Sequence, residues 1–180
     1  MTVDPQSLSQ RLATWARVKS PWVTVFNSGA CNACDIEIID CLMPRFDVER
    51  FGILAKGSPR HADILIVTGA VTRKQASRLL RVWEQMPEPK YVIACGACGA
   101  AGGVFQGLYH VMGDVGEIIP VDIYLAGCPP RPDEIINAVV ACLNLMKEDL
   151  IRGGKEWRRK AKDKDRKETA PGTGTEDVKV

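Results

Sequence analysis

Apolar positions along the chain fall into two alternating patterns. Short, unbroken runs rich in β-branched and aromatic residues, Trp22 to Phe26, Asp63 to Gly69, Tyr91 to Ala94 and Val121 to Leu125, read as strands. The second run is apolar almost throughout and closed by Gly69, the pattern of a strand buried on both faces. Between these runs, apolar residues return every three or four positions, as on one face of a helix. Leu8, Leu12, Trp15 and Ala16 outline a short amphipathic helix over 8–19, which Pro21 stops. Asp35 to Leu42 forms another, with Asp35 near its start and Pro44 beyond its end. Ala76, Leu79, Leu80 and Trp83 mark one face of a helix over 73–86, before Pro87 and Pro89. Ile135, Ile136, Val139, Val140, Leu143 and Met146 mark the buried stripe of a last helix, Asp133 to Leu150, with Pro132 in its first turn. Strands alternating with helices predict an α/β fold with an open, mostly parallel sheet. In such sheets, sites form in the crevice beyond the carboxyl ends of the strands.

Composition refines this outline. A chain of 180 residues that is 46% apolar suits a single domain with a proper core, and a net charge of +2 argues against nucleic acid as a partner. The expected organisation is an N-terminal amphipathic helix in 1–20, the α/β domain in 21–151 and a basic tail in 152–180. The tail has almost no aliphatic residues, so its composition predicts mobility or a place on a partner subunit or anionic lipid. Residues 1–20 lack the apolar core of a signal peptide, and no window approaches the roughly 18 apolar residues of a spanning helix. The expectation is a chain soluble on its own and cytoplasmic. Seven cysteines in such a chain point to metal or redox chemistry instead of a disulfide framework.

Their positions carry the strongest signal. Cys31 and Cys34 follow the first strand run, Cys95 and Cys98 the third, and Cys128, between Gly127 and Pro129-Pro130, the fourth. Three cysteine-bearing loops at three strand ends converge on one crevice if the sheet is parallel. Thiolates select zinc, copper(I) or iron–sulfur clusters. Structural zinc spaces its C-x-x-C pairs roughly 15–20 residues apart. The two pairs here lie much farther apart and leave Cys128 over, so four scattered thiolates suit a 4Fe–4S cluster better. A zinc-stabilised binding module and a stand-alone dithiol oxidoreductase are the rival classes. Five cysteines compete for four positions. Cys95 still belongs to its strand, whereas Cys98 lies in the Gly-rich loop beyond it, so the expected ligands are Cys31, Cys34, Cys98 and Cys128, with Cys95 as alternative third ligand. Cys41 and Cys142 lie among aliphatics on helices and read as small buried hydrophobes. The glycines at 96, 99, 102 and 103 lack the Lys-Ser/Thr of a P-loop and read as backbone approaching a cluster. His61 reads as a packing or capping residue at a strand entrance.

The segments Ser28 to Glu37, Arg45 to Gly52, Gly57 to Leu65 and Gly127 to Pro132 together resemble the small electron-transfer subunit of membrane-bound, energy-converting NiFe hydrogenases, a relative of the B subunit of respiratory complex I. The resemblance runs in order from about Pro21 to Leu150. It implies a flavodoxin-like domain with helices on both faces of the sheet and one 4Fe–4S cluster on Cys31, Cys34, Cys98 and Cys128. It also implies three kinds of partner: a hydrogenase-type large subunit, a ferredoxin-like iron–sulfur subunit and membrane subunits of the same complex. The chain would then be a peripheral, non-catalytic part of an oxidoreductase, on the cytoplasmic side of the membrane. The complex I version carries two adjacent cysteines at the first site, so the C-x-x-C here favours the hydrogenase branch over the quinone-reducing one; related complexes that reduce sulfur compounds also use such a subunit. Ala33 stands where the hydrogenase loop has Gly, Cys95 is an extra cysteine, and the tail has no counterpart.

Three charged residues complete the expectations. Glu37 reads either as a helix-start carboxylate beside the helix dipole or as a proton-transfer group at the large-subunit interface. Arg60 and Arg131 read either as charges close to the cluster, which would raise its potential, or as surface salt bridges.

Overall fold

A computed structural model of the chain describes residues 8–151; the expected basic tail lies outside them. The strands are β1 (Trp22–Asn27), β2 (Leu54–Ala55), β3 (Ile64–Thr68), β4 (Val71–Thr72), β5 (Tyr91–Cys95), β6 (Val111–Gly113) and β7 (Ile123–Leu125). The α-helices are α1 (Leu8–Lys19), α2 (Ala33–Asp40), α3 (Arg73–Gln85), α4 (Gly96–Ala101) and α5 (Pro132–Ile151). Five strands form one sheet in the order β2-β1-β3-β5-β7, with every pairing parallel. β4 and β6 make a separate antiparallel ribbon. With the ribbon set aside, the sheet has the flavodoxin-like doubly wound order, and its direction of growth reverses between β1 and β3.

The sheet is covered on both faces, as expected. On one side Val23, Ile64, Ile66 and Ile93 pack with Cys41, Ile135, Val139 and Met146, from the end of α2 and from α5. On the other, Leu65, Val67 and Val92 meet Leu79 of α3 together with Val115 and Ile119. Alternate residues of β3 thus serve opposite layers, which is why its sequence is apolar throughout. Burying each such side chain contributes about 1.5–3 kcal/mol.

Asp63 ties the amino ends of three elements together. Its carboxylate accepts from Trp22 N at 3.0 Å and pairs with Arg17 of α1 at 3.5 Å, while its carbonyl accepts from Tyr91 N at 3.0 Å. Burial pushes its carboxyl pKa up, against the opposing pull of the Trp22 N–H and Arg17.

Some expectations change. Val121 is buried but precedes β7, which begins at Ile123; the chain reaches β5 there through Asp122, whose side chain accepts from Val92 N at 3.0 Å. Leu80 leaves the buried face of α3 and is 39% exposed. Leu12 and Trp15 are 64% and 58% exposed, and α1 meets the core through Val18 instead. The segment carrying Cys98 is a short helix, α4, where the sequence suggested a loop.

Candidate functional site

All three cysteine segments follow carboxyl ends of parallel strands: β1 for Cys31 and Cys34, β5 for Cys98, β7 for Cys128. Asn27, the last residue of β1, starts the first turn. Its Oδ1 accepts from Gly29 N at 3.0 Å and Ala30 N at 2.9 Å, folding the chain back before Cys31. The buried Ser28 hydroxyl lies 2.8 Å from the Thr68 carbonyl and 2.9 Å from that of Gly69, fastening the turn to the end of β3. Asn32 then takes a left-handed conformation, φ 76°, and α2 begins with Cys34 in its first turn. The Asp35 carboxylate accepts from Thr68 Oγ1 at 2.8 Å and from Asn27 Nδ2 at 2.6 Å. Asn27, Ser28, Asp35 and Thr68 thus hold the first cysteine segment at the reversal point of the sheet. Sequence reasoning placed Asp35 only as a helix start and passed over the other three. An Asn-Ser pair directly after a strand was the available signal.

The second and third segments are joined to each other. Ala97 N donates to the Gly127 carbonyl at 2.7 Å, which ties the start of α4 to the loop after β7. Gly96 has φ 82°, and a Cβ there would lie 2.7 Å from Cys34 Sγ. Only glycine leaves that sulfur room, and the space beside it is a cradle that a side chain would fill.

The thiols separate into two environments. Cys31 and Cys128 are exposed and Cys98 half-buried, while Cys34, Cys41, Cys95 and Cys142 are buried. The Cys98 thiol pKa is raised, first by burial and then by the negative charges of Cys128, Cys34 and Cys31; the Val104 N–H acts in the opposite direction. Cys98 therefore feels all three other expected ligands. Cys95 is fully buried at the end of β5 and makes a hydrogen bond with Cys34. That bond lowers the Cys34 pKa against burial and the charges of Asp35 and Glu37, and it raises the pKa of Cys95, with burial adding to the rise. Cys41 donates to the Glu37 carbonyl at 3.3 Å, and its thiol is pushed up to about 11 by burial and then by Asp40 and Glu37. Cys41 and Cys142 thus lie in the core as expected. Among the described residues, no three His, Cys, Asp or Glu side chains are grouped as ligands of one metal ion.

The charged candidates divide. Arg131 is exposed at the start of α5, three residues past Cys128, and its backbone N–H donates to Glu134 at 3.0 Å. Glu37 lies half-buried on the second turn of α2. Arg60 is not near the cysteines. It belongs to the 3-10 turn Pro59–His61 before β3 and lines a pocket with Arg17, Trp22 and Asp63. The five residues of β3 separate it from the site, roughly 16 Å at about 3.3 Å per residue. The motif containing Arg60 enters the sheet at its amino end, so Arg60 does not lie beside the cysteines as the sequence suggested. His61 packs at that same end, with Nδ1 3.1 Å from Ser58 Oγ and its ring 5.9 Å from Trp22, as a capping residue would.

Three comparisons place this arrangement among known proteins. Over 152 residues the chain is 49% identical to the probable membrane-bound hydrogenase subunit mbhJ of Pyrococcus furiosus, covering 83% of this chain and 90% of that protein. It is 46% identical to formate hydrogenlyase subunit 7 of Escherichia coli, covering 86% of this chain but only 61% of the longer relative. Among solved structures, a chain of the membrane-bound sulfane sulfur reductase, an archaeal respiratory membrane complex, superimposes with a TM-score of 0.68 at 36% identity, covering 77% of each chain. Residues 31–142, which include every cysteine described above, match the family model for the 20 Kd subunit of NADH ubiquinone oxidoreductase, and with that match and these relatives the chain belongs to that family of oxidoreductase subunits.

Proposed function

We propose that the chain is an electron-transfer subunit holding one 4Fe–4S cluster on Cys31, Cys34, Cys98 and Cys128. It relays electrons between ferredoxin-type clusters of a neighbouring subunit and the NiFe large subunit of a membrane-bound hydrogenase complex. The observation that carries this reading is geometric: Cys31 and Cys34, Cys98, and Cys128 follow the carboxyl ends of three parallel strands of one sheet, with Gly96 packed against Cys34 and Ala97 bonded to Gly127. Repulsion among four thiolates is relieved when they share a cationic metal core. The donor set is all sulfur, as such clusters take, and Gly96 keeps the space beside Cys34 clear. When bound, the cluster supplies one-electron storage at this point of the chain.

The residues present have definable roles. Asn27 and Ser28 fix the entry to the first ligand pair, and the bond from Ala97 to Gly127 sets the second and third segments against each other. Cys34 and Cys95 close the floor of the site against the apolar core, which excludes water from that side. Cys31 and Cys128 open toward the surface, where a large subunit would complete the enclosure. No described helix is long and apolar enough to cross a membrane. In this reading the chain sits peripherally, on the cytoplasmic side, bound to the membrane subunits of its complex.

Glu37 has no side-chain hydrogen bond or ion pair among the described residues, and in this reading it carries protons at the interface with the large subunit. Glu37→Gln in the assembled complex is expected to slow proton-coupled turnover while leaving iron content and the unfolding midpoint unchanged. Unchanged turnover removes the role. Arg131 follows Cys128 by three residues and is exposed, and in this reading its charge acts on the cluster. The Arg131→Met complex is expected to show a lower cluster midpoint potential in a redox titration, and an unmoved potential reduces Arg131 to a surface charge.

The whole reading is tested on the complex purified without oxygen. Iron and acid-labile sulfide bound to this chain, with a reduced-cluster EPR signal, are expected; a colourless, zinc-loaded chain overturns it. The identity of the co-purifying large subunit decides the branch. The structural match to a sulfane sulfur reductase supports a second reading, the equivalent subunit of a related sulfur- or quinone-reducing complex. A large subunit that lacks paired C-x-x-C motifs would favour it.

A further inference from the structure

Asp35 follows Cys34 directly, in the first turn of α2. Its two hydrogen-bond donors, Thr68 Oγ1 and Asn27 Nδ2, are both neutral. The ion pairs among the described residues, Arg17 with Asp63 and Lys90 with Glu88, lie at or before the amino ends of the strands, at the far side of the sheet. The carboxylate is therefore held at a fixed place without a cation to cancel it. Asn27 extends the arrangement, because its other side-chain atom, Oδ1, binds the two backbone N–H groups that shape the turn into Cys31.

We propose that Asp35 is a positioning residue that also acts electrostatically. It braces the segment bearing Cys31 and Cys34, and it keeps a fixed negative charge beside the cluster, holding the reduction potential low. The inference rests on the cluster assignment above. Adding an electron beside a fixed anion is unfavourable, and the penalty grows where water is excluded and the effective dielectric falls. Net charge and hydrogen bonding around the ligand sulfurs are recognised levers on such potentials. Neutral donors suit this role, because they fix the direction of the carboxylate and leave its charge in place. A salt-bridging lysine at the same position would fix it and neutralise it together.

The test is a redox titration of the intact complex, followed by the EPR signal of the reduced cluster, in two variants. Asp35→Asn removes the charge and is expected to move the midpoint potential upward. Thr68→Val removes one strut but leaves the charge; it is expected to broaden the EPR signal without an upward shift. If Asp35→Asn takes up no cluster, Asp35→Ser, also neutral and able to start a helix, reads the same shift. A neutral variant with an unmoved or lowered potential overturns the assignment. So does an equal upward shift in Thr68→Val, which would trace the effect to geometry instead of charge. Loss of any reduced-cluster signal in the unaltered complex overturns the cluster itself, so the two failures are distinguishable.

Discussion

Cys98→Ala is expected to strip the complex of this chain's iron and sulfide and of the associated absorbance, whereas Cys95→Ala retains them. The two cysteines are three residues apart, yet they face different surroundings. Cys98 is half-buried on α4 and feels the charges of Cys31, Cys34 and Cys128 together. Cys95 is fully buried at the end of β5, packs in the same apolar layer as Cys41 and Met146, and is hydrogen-bonded to Cys34. A ligand must reach the metal; Cys95 is fully buried on the core side, whereas Cys98 is half-buried on α4. Cys95→Ala removes a buried sulfur and costs stability on the order of 1 kcal/mol, a change seen in thermal unfolding and not in iron content. The opposite pattern, cluster lost from Cys95→Ala and kept in Cys98→Ala, would make Cys95 the third ligand.

Gly69→Ala is the most damaging single substitution expected outside the cysteines. Gly69 follows β3 with φ 79°, a conformation that alanine adopts only with strain. A Cβ there would lie 2.6 Å from the Gly29 carbonyl carbon and closer still to the Ala30 backbone. These atoms are main chain in the turn that leads to Cys31, so they cannot swing aside as a side-chain tip could. Either the turn detaches from β3, breaking the Ser28 contacts, or the strand end distorts. Strain and overpacking together predict a loss of about 3 kcal/mol or more, measured by chemical denaturation, along with weakened cluster retention. Gly57→Ala is the control: its added Cβ meets nothing within 4 Å, and near-wild-type stability is expected. Equal stability of the two variants would show that the turn after β1 does not depend on this close approach.

The parts of the molecule legible in the sequence were those where burial writes a pattern. β3 was visible because both its faces are covered, and α5 because one stripe meets the core. The convergence of the cysteines followed from their place after strand runs, once the sheet was taken as parallel. Periodicity did not say which way α1 turns, since an apolar stripe looks the same whether it meets this chain or faces outward. β2, β4 and β6 were too short to show any period. The Gly-rich composition of α4 resembled a loop. The contacts joining Asp35 to Asn27 and Thr68 span 8 and 33 residues and leave no repeating mark. Arg60 was legible too: it precedes the β3 run, where its neighbour His61 was read at the strand entrance, so its place at the amino end follows from the sequence.

The join between α4 and the loop after β7, made by Ala97 and Gly127, also has a kinetic side. About ninety residues separate Cys34 from Cys128. At about 5–20 residues per second, the ribosome needs roughly 5–20 s to bridge them. During that interval the first two thiols exist without the last strand that completes their surroundings. β7 can pair with β5 only after it leaves the exit tunnel, so among the three cysteine segments that of Cys128 is the last to take its place. If the proposed cluster is bound, loading with all four thiolates follows that step.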